Sequence, residues 1–194
     1  MGRKKAISDD ELLGVARRIF VEEGFTASTR EIARRAGVSE GLIFQRFRTK
    51  EDLFFAAMIP PSADLNRLFH HPHSQGRTLL EKITFSMIAY FRETLPVLLP
   101  LMSHPNFRFE EFAKRHPDSP MLLLRRQLVE FLVREQRAGR LGAIDPAASA
   151  LLIWSAAHSI PFFERLGAHG GQFEPKLVRA MVRALWDGLD PRNR

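Results

Sequence analysis

The residues with the most legible chemistry lie between positions 28 and 50. Arg30, Gln45, Arg46 and Lys50 are set there among apolar residues on short periodic segments. Gln45 offers an acceptor and a donor together, the pair that reads an adenine edge, and Arg46 suits a phosphate or a guanine. Lys50 opens the next segment, where its ammonium and the free N–H groups of a helix start both favour phosphate. Nothing of comparable order points to catalysis. The chain has no cysteine, which removes disulfides, thiolate nucleophiles and cysteine-based zinc sites. It has no His-Glu-x-x-His and no phosphate-cradling glycine loop. Ser155 and His158 are neighbours at i,i+3, but nothing orients the histidine as a base. His70, His71 and His73 match no standard ligand spacing and read as a solvated loop. No catalytic residue, cofactor or metal is expected.

The elements that must hold the 28–50 set are helices. Residues 29–36 and 40–47 form two short amphipathic segments joined through Gly37-Val38-Ser39, the layout of a helix-turn-helix. Glycine suits the left-handed turn because it has no Cβ, Val38 plugs the gap and Ser39 caps the second helix. At 100° per residue, Ile43 and Phe47 share the inner face, while Gly41 and Gln45 lie nearly opposite. Glu40 and Phe44 flank that outward pair on one side, Leu42 and Arg46 on the other. Gly41 lets the backbone approach a duplex closely. Ser8 with Glu11, Ser28 with Glu31, and Thr49 with Asp52 carry capping-box spacing, which starts helices at those points.

The rest of the chain reads as helix too, so the fold expected is all-α. Longer helices are predicted over 77–95, 107–114, 120–138, 146–166 and 175–189, with a bend at Pro96 and Pro100. Pro120, Pro146 and Pro175 suit first turns, where the missing N–H costs nothing. Pro60, Pro61 and the loop through His73 suggest two domains, residues 1–58 and 59–194. The net charge of +7 suits an anionic partner, nucleic acid before membrane. No run approaches the ~20 apolar residues of a membrane span. The N-terminus lacks the apolar region of a secretory signal, so a cytoplasmic location is expected. Arg3, Lys4 and Lys5 read as a basic tail.

The run Ser28-Thr29-Arg30-Glu31-Ile32-Ala33-Arg34-Arg35-Ala36-Gly37-Val38-Ser39-Glu40-Gly41-Leu42-Ile43-Phe44-Gln45-Arg46-Phe47, followed by Thr49-Lys50-Glu51-Asp52-Leu53, resembles the TetR family of transcriptional regulators. The similarity covers roughly residues 8–58. It implies that Ser28 caps its helix and touches a phosphate, and that Arg30 reaches a base edge or phosphate. It also implies that Glu40, Gly41, Leu42, Gln45 and Arg46 line the major groove, that Ser39 belongs to the DNA-binding set and that Lys50 holds the DNA backbone. Phe44 stands where the family usually has tyrosine. It keeps an apolar contact, to a thymine methyl, but has no hydroxyl for a phosphate.

The second half carries more apolar side chains than one buried face needs. The segment 139–148 resembles the loop before the family's penultimate helix. The last two helices look like the family's dimerisation pair, which implies a homodimer. Phe85, Ile88, Tyr90, Met102, His104, Phe107, Phe131, Trp154 and His158 are the candidate effector-binding residues. Their aromatic and methionine character suits a largely apolar small molecule. The partners expected are double-stranded operator DNA, a small effector and a second copy of the chain, with no membrane. A DNA-binding regulator without a small effector, and a catalytic bundle, are the competing readings.

Overall fold

The computed structural model describes residues 7–59, 69, 76–117, 119–168 and 170–189. Their regular structure is helical, without a strand among them. The chain divides into two compact units: Met1–Pro61 with Pro96–Phe112, and Ser62–Leu95 with Ala113–Arg194.

The first unit begins with α1 (Asp9–Glu23). Ser8 caps it reciprocally: the hydroxyl accepts from Glu11 N, and the Glu11 carboxylate accepts from Ser8 N at 2.9 Å. Then come α2 (Thr29–Ala36), α3 (Glu40–Arg46) and α4 (Lys50–Ala57). Thr49 and Asp52 form the second reciprocal cap. Ser28 does not form the third; its side chain makes no capping bond. The Glu31 carboxylate is drawn instead to Arg34 and Arg35, at 2.7 and 2.8 Å. Leu12, Ile19, Phe20, Ile32, Ile43, Leu53 and Phe54 form the buried centre, each worth roughly 1.5–3 kcal/mol on leaving water. Phe20 and Phe54 meet edge to face at 5.0 Å.

The long helix α5 (Gly76–Met102) continues past Pro96 and Pro100 rather than ending near Leu95 as the sequence predicts. Each proline removes one N–H donor, but helical bonding resumes beyond them, with Ser103 N donating to Leu99 O at 3.0 Å. The next helix, α6 (Phe109–Arg115), starts two residues later than predicted, because Phe107 N is committed to a turn onto His104 O.

The second unit packs α7 (Pro120–Arg137), α8 (Pro146–Arg165) and α9 (Pro175–Leu189) around the α5 residues up to Leu95. Its core includes Leu80, Ile83, Phe91, Leu128, Phe131, Ile153 and Val182. One buried ionic node pins its ends. Glu135 accepts from Gly76 N at 3.0 Å and from Arg140 Nε and Nη2 at 2.6 and 2.8 Å. Gly76 has φ +57°, and a Cβ there would stand 3.3 Å from the Trp186 ring.

Pro96–Phe112 groups with the first unit, although it lies beyond the boundary expected near residue 59. The reason is aromatic. His104 is 8 % exposed and seats among Phe25, Phe54 and Phe55, with ring centroids 4.5, 5.3 and 5.1 Å away.

Candidate nucleic-acid interface

The turn between α2 and α3 is built from the backbone. Gly37 takes φ 68°, ψ 28°, Val38 N donates to Ala33 O at 3.0 Å, and Gly37 N to Arg34 O at 3.2 Å. This double closure satisfies the last carbonyls of α2 and requires the left-handed residue that glycine supplies. Ser39 then accepts from Leu42 N at 3.2 Å, starting α3 at once.

Helix α3 sorts its residues as the periodicity predicts. Ile43 is fully buried and Phe47 half-buried, while Gly41, Phe44 and Gln45 are exposed. Phe44 presents 42 % of its surface. Ser28, Arg30 and Ser39 are exposed on the adjoining elements, and Glu40, Leu42, Arg46 and Lys50 are half-buried.

Two of these side chains have engagements that sequence spacing does not reveal. The Glu40 carboxylate accepts from the Thr29 hydroxyl, tying α3 to the start of α2. The Arg46 guanidinium lies 2.9 Å from Asp9 and donates to Ile7 O at 2.9 Å, so it is held against the start of α1. Lys50 Nζ stands over the Phe25 ring, 4.8 Å from its centroid. On the α2 surface, the guanidinium groups of Arg34 and Arg35 hold the Glu31 carboxyl down to about 2, so this acid is ionised at any physiological pH. Asp9 and Thr29 are the members that sequence reasoning missed; their partners are 37 and 11 positions away, and no local pattern signals either. Arg3, Lys4 and Lys5 lie outside the described residues.

The candidate effector residues are divided between the two units. Met102, His104 and Phe107 belong to the first unit, and Phe85, Ile88, Tyr90, Phe131, Trp154 and His158 to the second. Met102 is 58 % exposed. His104 is spoken for, its ring packed as above and its Nδ1 accepting from Asn106 N at 3.2 Å. In the second unit, Ile88 and Phe131 are filled core. Trp154 and His158 stack in parallel at 5.4 Å, with Phe91 edge-on to both at 5.7 and 5.1 Å. Burial pushes the His158 imidazole down and the Tyr90 hydroxyl up to about 12, which keeps both neutral at pH 7.

An apolar groove of about 250 Å³ opens elsewhere on this unit, among α5, α8 and α9. Thr84, Leu152, Ile153, Ala156, Met181 and Leu185 are among its walls, and none of the candidate effector residues is. Leu151, Leu166 and Leu177 are further exposed apolar side chains of α8 and α9 and the turn after α8. The histidine cluster at 70–73 falls outside the described residues. Among the described residues, no group of three His, Asp or Glu is placed to hold a metal, and no helix is long and apolar enough to cross a membrane.

Residues 12–57 match the family described as bacterial regulatory proteins, tetR family. The HTH-type transcriptional regulator QacR of Staphylococcus aureus is 41 % identical over 46 residues, which is 23 % of this chain and 24 % of QacR. That match therefore spans about a quarter of the relative's length. Among solved structures, a protein of unknown function from a Rhodococcus species superposes with TM-score 0.73 at 22 % identity, covering 97 % of this chain and all of that one. A TetR-family regulator described as putative, also from Rhodococcus, gives 0.65 at 17 % identity over 93 % of this chain and 97 % of its own. At such identities the likeness speaks for architecture.

Proposed function

We propose that this chain, whose residues 12–57 match the tetR family, is a ligand-responsive transcriptional repressor that binds a palindromic operator as a homodimer. The observation that carries the reading is the contrast along α3: Ile43 fully buried, Gln45 and Phe44 presented outward. An exposed amphipathic rod of this kind enters the major groove, where glutamine pairs with adenine and an aromatic edge meets a thymine methyl. Ser28, Arg30 and Lys50 hold phosphates beside it, and Ser39, Glu40, Gly41, Leu42 and Arg46 complete the surface.

One such rod reads only a few base pairs, so a two-fold pair is needed for a specific site. The apolar groove among α5, α8 and α9, with Leu152 and Met181 exposed in its walls, is the face assigned to the second copy. Residues 1–58 serve DNA reading, and the remainder serves effector binding and dimerisation. The effector acts by binding more tightly to a dimer whose heads are wrongly spaced for DNA. The polar-tipped aromatic set Tyr90, Trp154 and His158 is its place in the second unit. A cytoplasmic location follows from this role.

Selection of bound sequences from random DNA tests the reading directly. A palindromic consensus bound by a dimer is expected; no enrichment of any sequence overturns it. The second reading, a regulator without a small effector, draws on Ile88 and Phe131 being filled core. Failure of every compound in a broad screen to release operator DNA brings it forward.

A further inference from the structure

The second unit carries a second cavity, a cleft of about 290 Å³ between α5 and the last turn of α8. Arg92, Leu95, Pro161, Glu164, Arg165 and Gln172 line it. Glu164 organises it. Its carboxylate accepts from Arg92 Nε and Nη2, both at 2.8 Å, and from Phe173 N at 2.8 Å. Only 8 % of the Glu164 side chain is exposed, against 34 % of Arg92. The paired guanidinium holds the Glu164 carboxyl below the usual carboxylate range, so it is ionised and already fills one edge of Arg92.

The cleft then holds two guanidinium groups and one carboxylate, a surplus of one positive charge. The Nη1 side of Arg92 takes no part in the pair with Glu164. Arg165 makes no ion pair among the described residues and is exposed. A guanidinium presents a planar fork of donors that matches two coplanar oxygens. Leu95 and Pro161 supply an apolar wall beside it.

We propose that this cleft binds a small organic carboxylate. The carboxylate lies across Arg165 and the Nη1 side of Arg92, with the Gln172 amide as a further donor and the carbon body against Leu95 and Pro161. A monoanion matches the surplus charge. A phosphate dianion would set two negative charges beside ionised Glu164, which disfavours it. The assignment does not rest on the regulator reading, since it concerns binding to the free protein.

The test is calorimetric titration of the full chain, without DNA, with sodium acetate, benzoate and octanoate. Benzamide, octanamide and inorganic phosphate serve as comparisons. At least one carboxylate should bind saturably below about 10 mM, the range of one charge-assisted contact with modest apolar burial. Its amide should not. Arg165→Gln should weaken that binding about tenfold, the factor that ~1.4 kcal/mol represents, while leaving the melting temperature unchanged. Equal binding by Arg165→Gln, equal binding of acid and amide, binding of phosphate alone, or no saturable carboxylate each overturns the proposal. Operator release by these compounds is scored separately. Carboxylate binding without release leaves the cleft standing and counts against it as the effector site. Release that Arg165→Gln does not alter places the effector site elsewhere, while release that it weakens in step with binding makes this cleft the effector site.

Discussion

Arg46, at the end of α3, is ion-paired to Asp9, at the start of α1, with 2.9 Å between Nη1 and Oδ1. The arginine side chain is 24 % exposed and the aspartate 66 %, so water screens the pair and its contribution to stability is small. Its larger effect is on charge: a carboxylate stands beside a cation on the helix proposed to enter the major groove. Asp9→Asn should tighten binding to all DNA and steepen the salt dependence by about one unit of log–log slope. Melting temperature should barely move. Affinity measured across a salt series checks this; an unchanged slope would mean that the Ile7 carbonyl alone holds Arg46 away from phosphate.

Gln45 and Lys50 should fail in different ways. Gln45→Ala should change the preferred bases, at a cost of roughly 1–3 kcal/mol on the original operator. Lys50→Ala should weaken every sequence alike and flatten the salt slope by about one. Parallel selections and salt titrations separate the two, and matching profiles would reject both assignments.

Gly37 and Gly76 share a left-handed backbone but differ in surroundings. A Cβ at Gly37 meets nothing within 4 Å, whereas one at Gly76 meets the Trp186 ring at 3.3 Å. Gly37→Ala should cost only the conformational strain, ~1–2 kcal/mol. Gly76→Ala adds displacement of a packed indole and should cost more, by about 1 kcal/mol or above. Denaturant unfolding of the two variants reads the difference; equal losses would contradict it.

Leu152 is 63 % exposed beside the α5/α8/α9 groove. Leu152→Glu should leave the single chain folded, because most of the side chain is already in solvent, but bury an unpaired charge in a dimer. Sedimentation should show a monomer, and operator affinity should drop at least tenfold. A dimer that persists in this variant would move the interface elsewhere.

The Glu31 carboxyl should titrate near 2. Its folded-state pKa lies below the unfolded one, so its contribution is present above the ordinary carboxylate range and is lost as pH falls through about 2. The group is exposed and screened, so the effect belongs to titration more than to stability. Carboxyl-carbon NMR of the wild type and of the Arg34→Ala/Arg35→Ala pair measures it. The midpoint should rise toward the usual value once both arginines are gone.

What the sequence makes legible is what lies within one turn of helix. The caps at Ser8 and Thr49, the αL turn at Gly37 and the facing of Ile43 against Gln45 depend on neighbours three or four positions away, and each appears as spacing predicts. Ser28 has the same spacing and fails, because Arg34 and Arg35 outcompete a backbone N–H for Glu31. His104 looks like a polar tip for a pocket, but three phenylalanines from positions 25, 54 and 55 enclose it. That closure depends on chain folding across half a hundred residues or more, which no periodicity encodes.

The node at Glu135 also sets an order on evolutionary change. Glu135 is 5 % exposed and Arg140 38 %. Losing the arginine first strands a carboxylate away from water with one backbone donor left, a loss of roughly 3–5 kcal/mol. Losing the glutamate first returns an already part-exposed guanidinium to solvent and leaves the Gly76 N–H without its acceptor, a smaller loss of about 1–3 kcal/mol. Descendants of this chain can therefore shed the pair in one sequence of steps far more readily than the other, and related proteins with Arg140 but a neutral residue at 135 should outnumber those with the reverse.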